Sequence, residues 1–158
     1  PEGEFPRVIV DLAAQTAAPL ARWIKDSDLL PLLADMGITV NFWHVADVGK
    51  DSVDLLGRLI KTYGAGPNYV VVKNHGRGTD FSQLDASGAL EEALSLGAQV
   101  ISLGQLHEAS MRKIDRQNAS FWAAIHNKSD TDMLGLLERQ RVKLWLRRSY
   151  ETLDTLPL

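Results

Sequence analysis

Residues 69–78 read Tyr-Val-Val-Val-Lys-Asn-His-Gly-Arg-Gly, and the fold class turns on them. Tyr69, Val70, Val71 and Val72 are apolar without alternation, and three of the four are β-branched. A strand of this kind is buried on both faces, which is the habit of a central parallel strand. It gives way at once to Lys73, Asn74 and His75, then to Gly76 and Gly78 around Arg77, and a helical pattern follows from Ser82. Strand, polar glycine-containing turn and helix is the order in which open α/β sheets place their ligands, at the carboxyl ends of the strands.

Working outward, the same alternation of strand and helix recurs. Ile38-Thr39-Val40-Asn41-Phe42-Trp43-His44-Val45 is dominated by β-branched and aromatic residues and predicts a strand. Arg7-Val8-Ile9-Val10-Asp11 predicts a short strand ending in a carboxylate, and Gln99-Val100-Ile101-Ser102-Leu103 predicts another. Helical patterns cover residues 12–23, 26–36, 52–63 and 82–96, a short piece ending near Ile114, and residues 118–126. In the third of these, Val53, Leu56, Ile60 and Tyr63 fall at i, i+3, i+7 and i+10, one apolar stripe closed by Gly64. Leu90 and Leu94 mark the buried face of the fourth. A last helix is expected over residues 130–148, capped by Asp130 or Thr131, with Leu134, Val142 and Trp145 on one side and Met133, Leu137 and Leu144 beside them. The expected architecture is one α/β domain over residues 1–158. It holds a mostly parallel sheet of about four strands flanked by helices, with residues 1–6 as a flexible lead-in.

Composition bounds the function. The chain has 158 residues, 45% hydrophobic and 23% charged, with a formal net charge of -3. That is enough chain for a real core, and the charge gives no global attraction to nucleic acid or to anionic membrane. The absence of cysteine excludes a disulfide scaffold and thiolate metal sites, and it fits a cytoplasmic protein. No apolar run approaches the ~20 residues that span a bilayer, so no membrane partner is expected. Pro1 stands where an initiator Met would, so the chain reads as a fragment, a processed chain or one carrying a tag remnant.

Several familiar sites fail on spacing. The glycine pair at 76 and 78 would need a third glycine at 81 to make a dinucleotide fingerprint, and Phe81 stands there. The glycines then read as a tight turn using positive φ, with Asp80 or Ser82 as the helix cap. No Walker A stretch exists; Gly49-Lys50 is followed by Asp51 rather than a hydroxyl residue. His44, His75, His107 and His126 form no metal-ligand spacing, so no metal site is expected. No G-x-S-x-G elbow is present either. Arg139, Lys143 and Arg147 stand at i, i+4 and i+8. They make either the solvated face of a terminal helix or a phosphate-contacting surface for DNA.

In order and spacing these landmarks resemble the ParA/MinD-type deviant-Walker P-loop ATPases, nearest to the plasmid partition, stability and conjugal-transfer or mobilisation branch. Arg7-Val-Ile-Val-Asp11 resembles that family's Walker B strand, which makes Asp11 the implied catalytic acid that orders the water shell of magnesium. Tyr69-Val-Val-Val-Lys-Asn74 resembles the strand whose terminal Asn reads the adenine edge. Val100-Ile-Ser-Leu-Gly-Gln-Leu106 is similar to the strand and loop that close over the base. The implied nucleotide contacts are therefore Asn74, Lys73 and Gln105. Ser52-Val53 resembles the start of the helix that follows the family's third strand. The resemblance covers most of the chain but only the C-terminal part of the family's domain, without the P-loop, its lysines or the first helix. It implies a truncated or degenerate member whose parent is an ATPase using ATP and magnesium. This chain alone is expected to be inactive, with no cofactor of its own. The implied partners are a second copy in a homodimer and plasmid DNA or a DNA-bound protein.

Three other readings fit parts of the sequence. One is a non-enzymatic interaction module in which Trp23, Trp43, Trp122 or Trp145 builds a partner surface. Another is a small-molecule enzyme using Asp11, His44, Asp47 and His75 together. The third, a response-regulator-like domain, lacks the acidic cluster after the first strand.

Overall fold

Three segments hydrogen-bond side by side: β1 (Asn41–Ala46), β2 (Asn68–Asn74) and β3 (Gln99–Leu103). They form a parallel sheet in the order β1-β2-β3. The computed structural model describes residues 7–13, 15–127 and 134–157, and the chain divides into two compact units, Pro1–Val40 and Asn41–Leu158. The sheet and all helices from residue 50 onward belong to the second unit.

β2 is the central strand, and Tyr69, Val70, Val71 and Val72 are all buried. Its two faces serve two different cores. Tyr69 and Val71 pack with Leu56 and Ile60 of α3 (Lys50–Tyr63), Leu84 of α4 (Ser82–Asp85), and Leu90 and Ala93 of α5 (Gly88–Ser95). Val70 and Val72 pack with Ile101, Leu153 and Leu156 on the other side. Burying a valine side chain contributes about 1.5–3 kcal/mol, so this short run holds the layers together. The Tyr69 hydroxyl donates to the Gly64 carbonyl at 2.6 Å, joining β2 to the end of α3. Burial, with Tyr63 and Glu92 nearby, pushes that hydroxyl up to about 12.

A third cluster joins α6 (Glu108–Arg116), α7 (Phe121–His126) and α8 (Leu136–Leu153) through Ile114, Ala124, Ile125, Leu134 and Val142. Lys113 and Glu138 form a 2.8 Å ion pair between α6 and α8, and the same carboxylate accepts the Gly135 amide at 2.8 Å. The first unit contains α1 (Ala17–Asp26) and α2 (Leu29–Asp35), with Pro31 in the first turn of α2.

Several expectations are corrected. Residues 7–11 are not a strand: Val8, Ile9 and Val10 are 83%, 95% and 70% exposed. β-branched residues favour a strand only where a ladder and a packed face reward them, and here they have neither. The sheet accordingly has three strands among the described residues, not about four. β1 begins at Asn41 rather than Ile38. The helix expected over residues 82–96 is two helices, because Ser87 accepts the Leu90 amide at 3.2 Å and starts α5 afresh. Leu94 is exposed, and on α8 so are Leu136 and Leu137. α8 ends five residues later than expected, at Leu153 rather than 148. Asp130, Thr131 and Met133, expected at its start, and the lead-in at residues 1–6 lie outside the described residues.

The glycine turn behaves as its residue types imply. Gly78 sits at φ +147°, and a Cβ there would lie 2.9 Å from both Val48 methyl carbons. The turn after β2 thus presses on the turn after β1 with no room for a side chain. Gly78→Ala is expected to destabilise the protein by roughly 1–3 kcal/mol in urea unfolding, through strain and collision together. Adding Val48→Ala should recover only the collision part. An unchanged midpoint in the single variant would contradict the packing.

Candidate functional site at the carboxyl edge of the sheet

Because the strands are parallel, their carboxyl ends lie along one edge. Ala46 is opposite Lys73, Lys73 opposite Ser102, and Asn74 opposite Leu103. Lys73, Asn74 and, two residues past β3, Gln105 therefore share that edge with Asp47 and His75. Asp11 belongs to the first unit, in an exposed stretch without regular structure.

Each polar residue of the edge has local work. The Asn74 Oδ1 accepts the Gly76 amide at 2.9 Å and shapes the 3₁₀ turn His75–Arg77. A carboxamide oxygen has two lone pairs and its nitrogen two donors. One acceptor site and both donors of Asn74 are thus left unused among the described residues. Lys73 is ion-paired with Asp85 of α4, and its ammonium lies 5.9 Å from the centre of the Phe81 ring. His75 leans on the same ring at 4.9 Å. Gln105 is exposed in the segment between β3 and α6. The Trp145 indole donates to the Gly104 carbonyl at 2.6 Å, so α8 fixes the backbone beside Gln105.

On the β1 side, the Asp47 carboxylate accepts the Gly49 amide at 2.9 Å, and the Asp47 amide donates to the Ser52 hydroxyl at 3.1 Å. His44 Nε2 lies 2.9 Å from the Ser52 carbonyl oxygen. A carbonyl only accepts, so that nitrogen carries the proton. It then cannot take one from the Ser52 hydroxyl, although the two atoms are 3.5 Å apart. Geometry therefore rules out a Ser52–His44 nucleophile pair, whatever the proximity. Burial lowers the His44 pKa, against smaller upward pulls from the Ser52 carbonyl and the Asp47 carboxylate.

The described residues contain no group of three or more His, Asp or Glu arranged to hold a metal ion. The cations Arg139, Lys143 and Arg147 lie on α8, with Arg147 within 3.8 Å of Glu151. Two features here are missing from the reading of the sequence above, one without a local signal and one with. Asp85 as the partner of Lys73 has no local signal, since 12 residues separate them. The Trp122–His126 stack, with ring centres 4.5 Å apart, was signalled by i, i+4 spacing on a short helix.

No protein-family model, curated protein or solved structure matches this chain. No described helix is long and apolar enough to cross a membrane.

The lowered His44 pKa fixes a sign for acid stability. The unfolded chain takes up the proton first, near the ordinary value of 6.5. The contribution of His44 to stability should therefore be flat above that pH and fall as pH drops through it, levelling off below the folded-state pKa. Urea midpoints across this window should show the slope, and His44→Gln should flatten it. Equal slopes in both proteins would contradict the burial of His44.

Proposed function

We propose that this chain carries the base-binding part of a ParA/MinD-like nucleotide switch acting in plasmid maintenance, partition or conjugal transfer. The observation that carries the proposal is the shared carboxyl edge of a parallel sheet, where Asn74 and Gln105 stand at the ends of adjacent strands. Asn74 keeps an acceptor site and both amide donors beyond its bond to Gly76. A carboxamide so placed can meet an adenine edge with one donor and one acceptor. Lys73, at the end of the same strand, is paired with Asp85 of α4.

In the complete switch, ATP with magnesium is the interface ligand that favours the dimer, and hydrolysis releases it. Asp11 has the magnesium-ordering role in that reading. The 158 residues contain no lysine-bearing phosphate loop, so the triphosphate has no grip here. The chain alone is therefore expected to bind the base weakly and to have no ATPase activity. DNA contact falls to Arg139, Lys143 and Arg147.

A second reading, a non-enzymatic interaction module, is favoured by β1. Trp43 and Val45 stand 42% and 60% exposed on one face of this edge strand.

Titration of the chain with adenosine, followed by backbone amide NMR, separates the two. The nucleotide reading expects weak, saturable, magnesium-independent shifts at Asn74 and Gln105. Asn74→Asp keeps the acceptor for Gly76 but removes the donors, so it should fold normally and lose those shifts. Silence at both turns, or tight magnesium-dependent ATP binding, would contradict the proposal.

A further inference from the structure

The geometry points to a single-stranded nucleic-acid site in the groove between α7 and α8, read by stacking as well as by charge. This deepens the DNA-contact part of the function proposed above, but it uses none of the carboxyl-edge residues. The groove has a volume of about 440 Å³, and its apolar floor includes Ile125 and Leu146. Lys143, Arg147, His126 and Tyr150 also line it.

Two observations identify the occupant. The first is aromatic. Trp122 is 66% exposed and stacks on His126 at an interplanar angle of 23°. The His126 Nδ1–H donates to the Trp122 carbonyl at 2.8 Å, which locks the pair as one platform. Tyr150, also exposed, offers a second ring. A protein core gains nothing from flat rings left in water, whereas an unpaired base gains a stacking partner. The second is charge. Arg139, Lys143 and Arg147 repeat every four residues and so line one side of α8 over roughly 12 Å. Arg139 is anchored on the Asn127 carbonyl at 3.4 Å, and Arg147 is shared with Glu151. Lys143 has no carboxylate partner among the described residues. Glu151 and Asp154 close the other end of the groove. Among the described residues, a path for a polyanion along the row from Arg147 toward Arg139 leads away from Glu151 and Asp154, and His126 of the aromatic platform lines the same groove. Duplex DNA keeps its bases paired and inside, so it can use the cations but not the rings.

Fluorescence anisotropy with labelled oligothymidylate, oligouridylate and a duplex of equal length tests this on the whole chain. Both single strands are expected to bind more tightly than the duplex, and any preference between them tells DNA from RNA. Trp122→Ala, at an exposed position, should weaken single-strand binding by about fivefold or more while leaving duplex binding unchanged. Lys143→Ala should lower the slope of log affinity against log salt by about 0.7 for the single strand. Binding of duplex as tight as single strand, indifference to Trp122→Ala, or no binding to any of the three probes would overturn the proposal. Each of these results is independent of whether adenosine shifts Asn74.

Discussion

Burial of one strand on both faces is the constraint on which the second unit depends. Val70 and Val72 point into one core and Tyr69 and Val71 into the other, so β2 cannot shift by a residue without exchanging the two sets. A parallel neighbour on each side then satisfies its backbone and brings three strand ends to a common edge. The polar turns that emerge there are consequences of that placement. Gly78 against Val48 shows how tightly two of them are fitted together.

What could be read from the sequence divides along physical lines. β2 was legible because four unbroken apolar residues have only one comfortable home in an α/β fold. The stripe of α3 was legible from its helical spacing, and Leu56 and Ile60 are indeed buried. Residues 7–11 misled because Val-Ile-Val carries the same composition as a strand. Composition states a preference, and a ladder partner decides whether it is realised. The break between α4 and α5 was missed because Ser87 looks like any surface serine until its hydroxyl is seen accepting the Leu90 amide. Long-range pairs such as Lys113 with Glu138 leave no trace in spacing at all.

A hydrogen bond from the Trp145 indole to the Gly104 carbonyl ties α8 to the carboxyl edge, beside the packing of Leu153 with Leu103 and Ile101. Trp145 also packs its ring against Phe121 at 5.1 Å, in the cluster that seats α7. The backbone before Gln105 therefore depends on how α8 is seated, and α8 carries the cation row. A base at the edge and a strand of nucleic acid along α8 would each bear on the same tryptophan. Polar groups of the edge are each held by a neighbour. The His44 Nε2–H donates to the Ser52 carbonyl, the Asp47 carboxylate accepts the Gly49 amide, and Lys73 is paired with Asp85.

Native-state hydrogen exchange tests the central claim most directly, since it reads the cooperative stability of each backbone amide. If β2 organises the second unit, the amides of Val70, Val71 and Val72 should exchange only through global unfolding and share one free energy. Gly49 and Gly76, bonded to side chains at the edge, should exchange far faster. Exchange of Val71 at the rate of Gly76 would contradict the account.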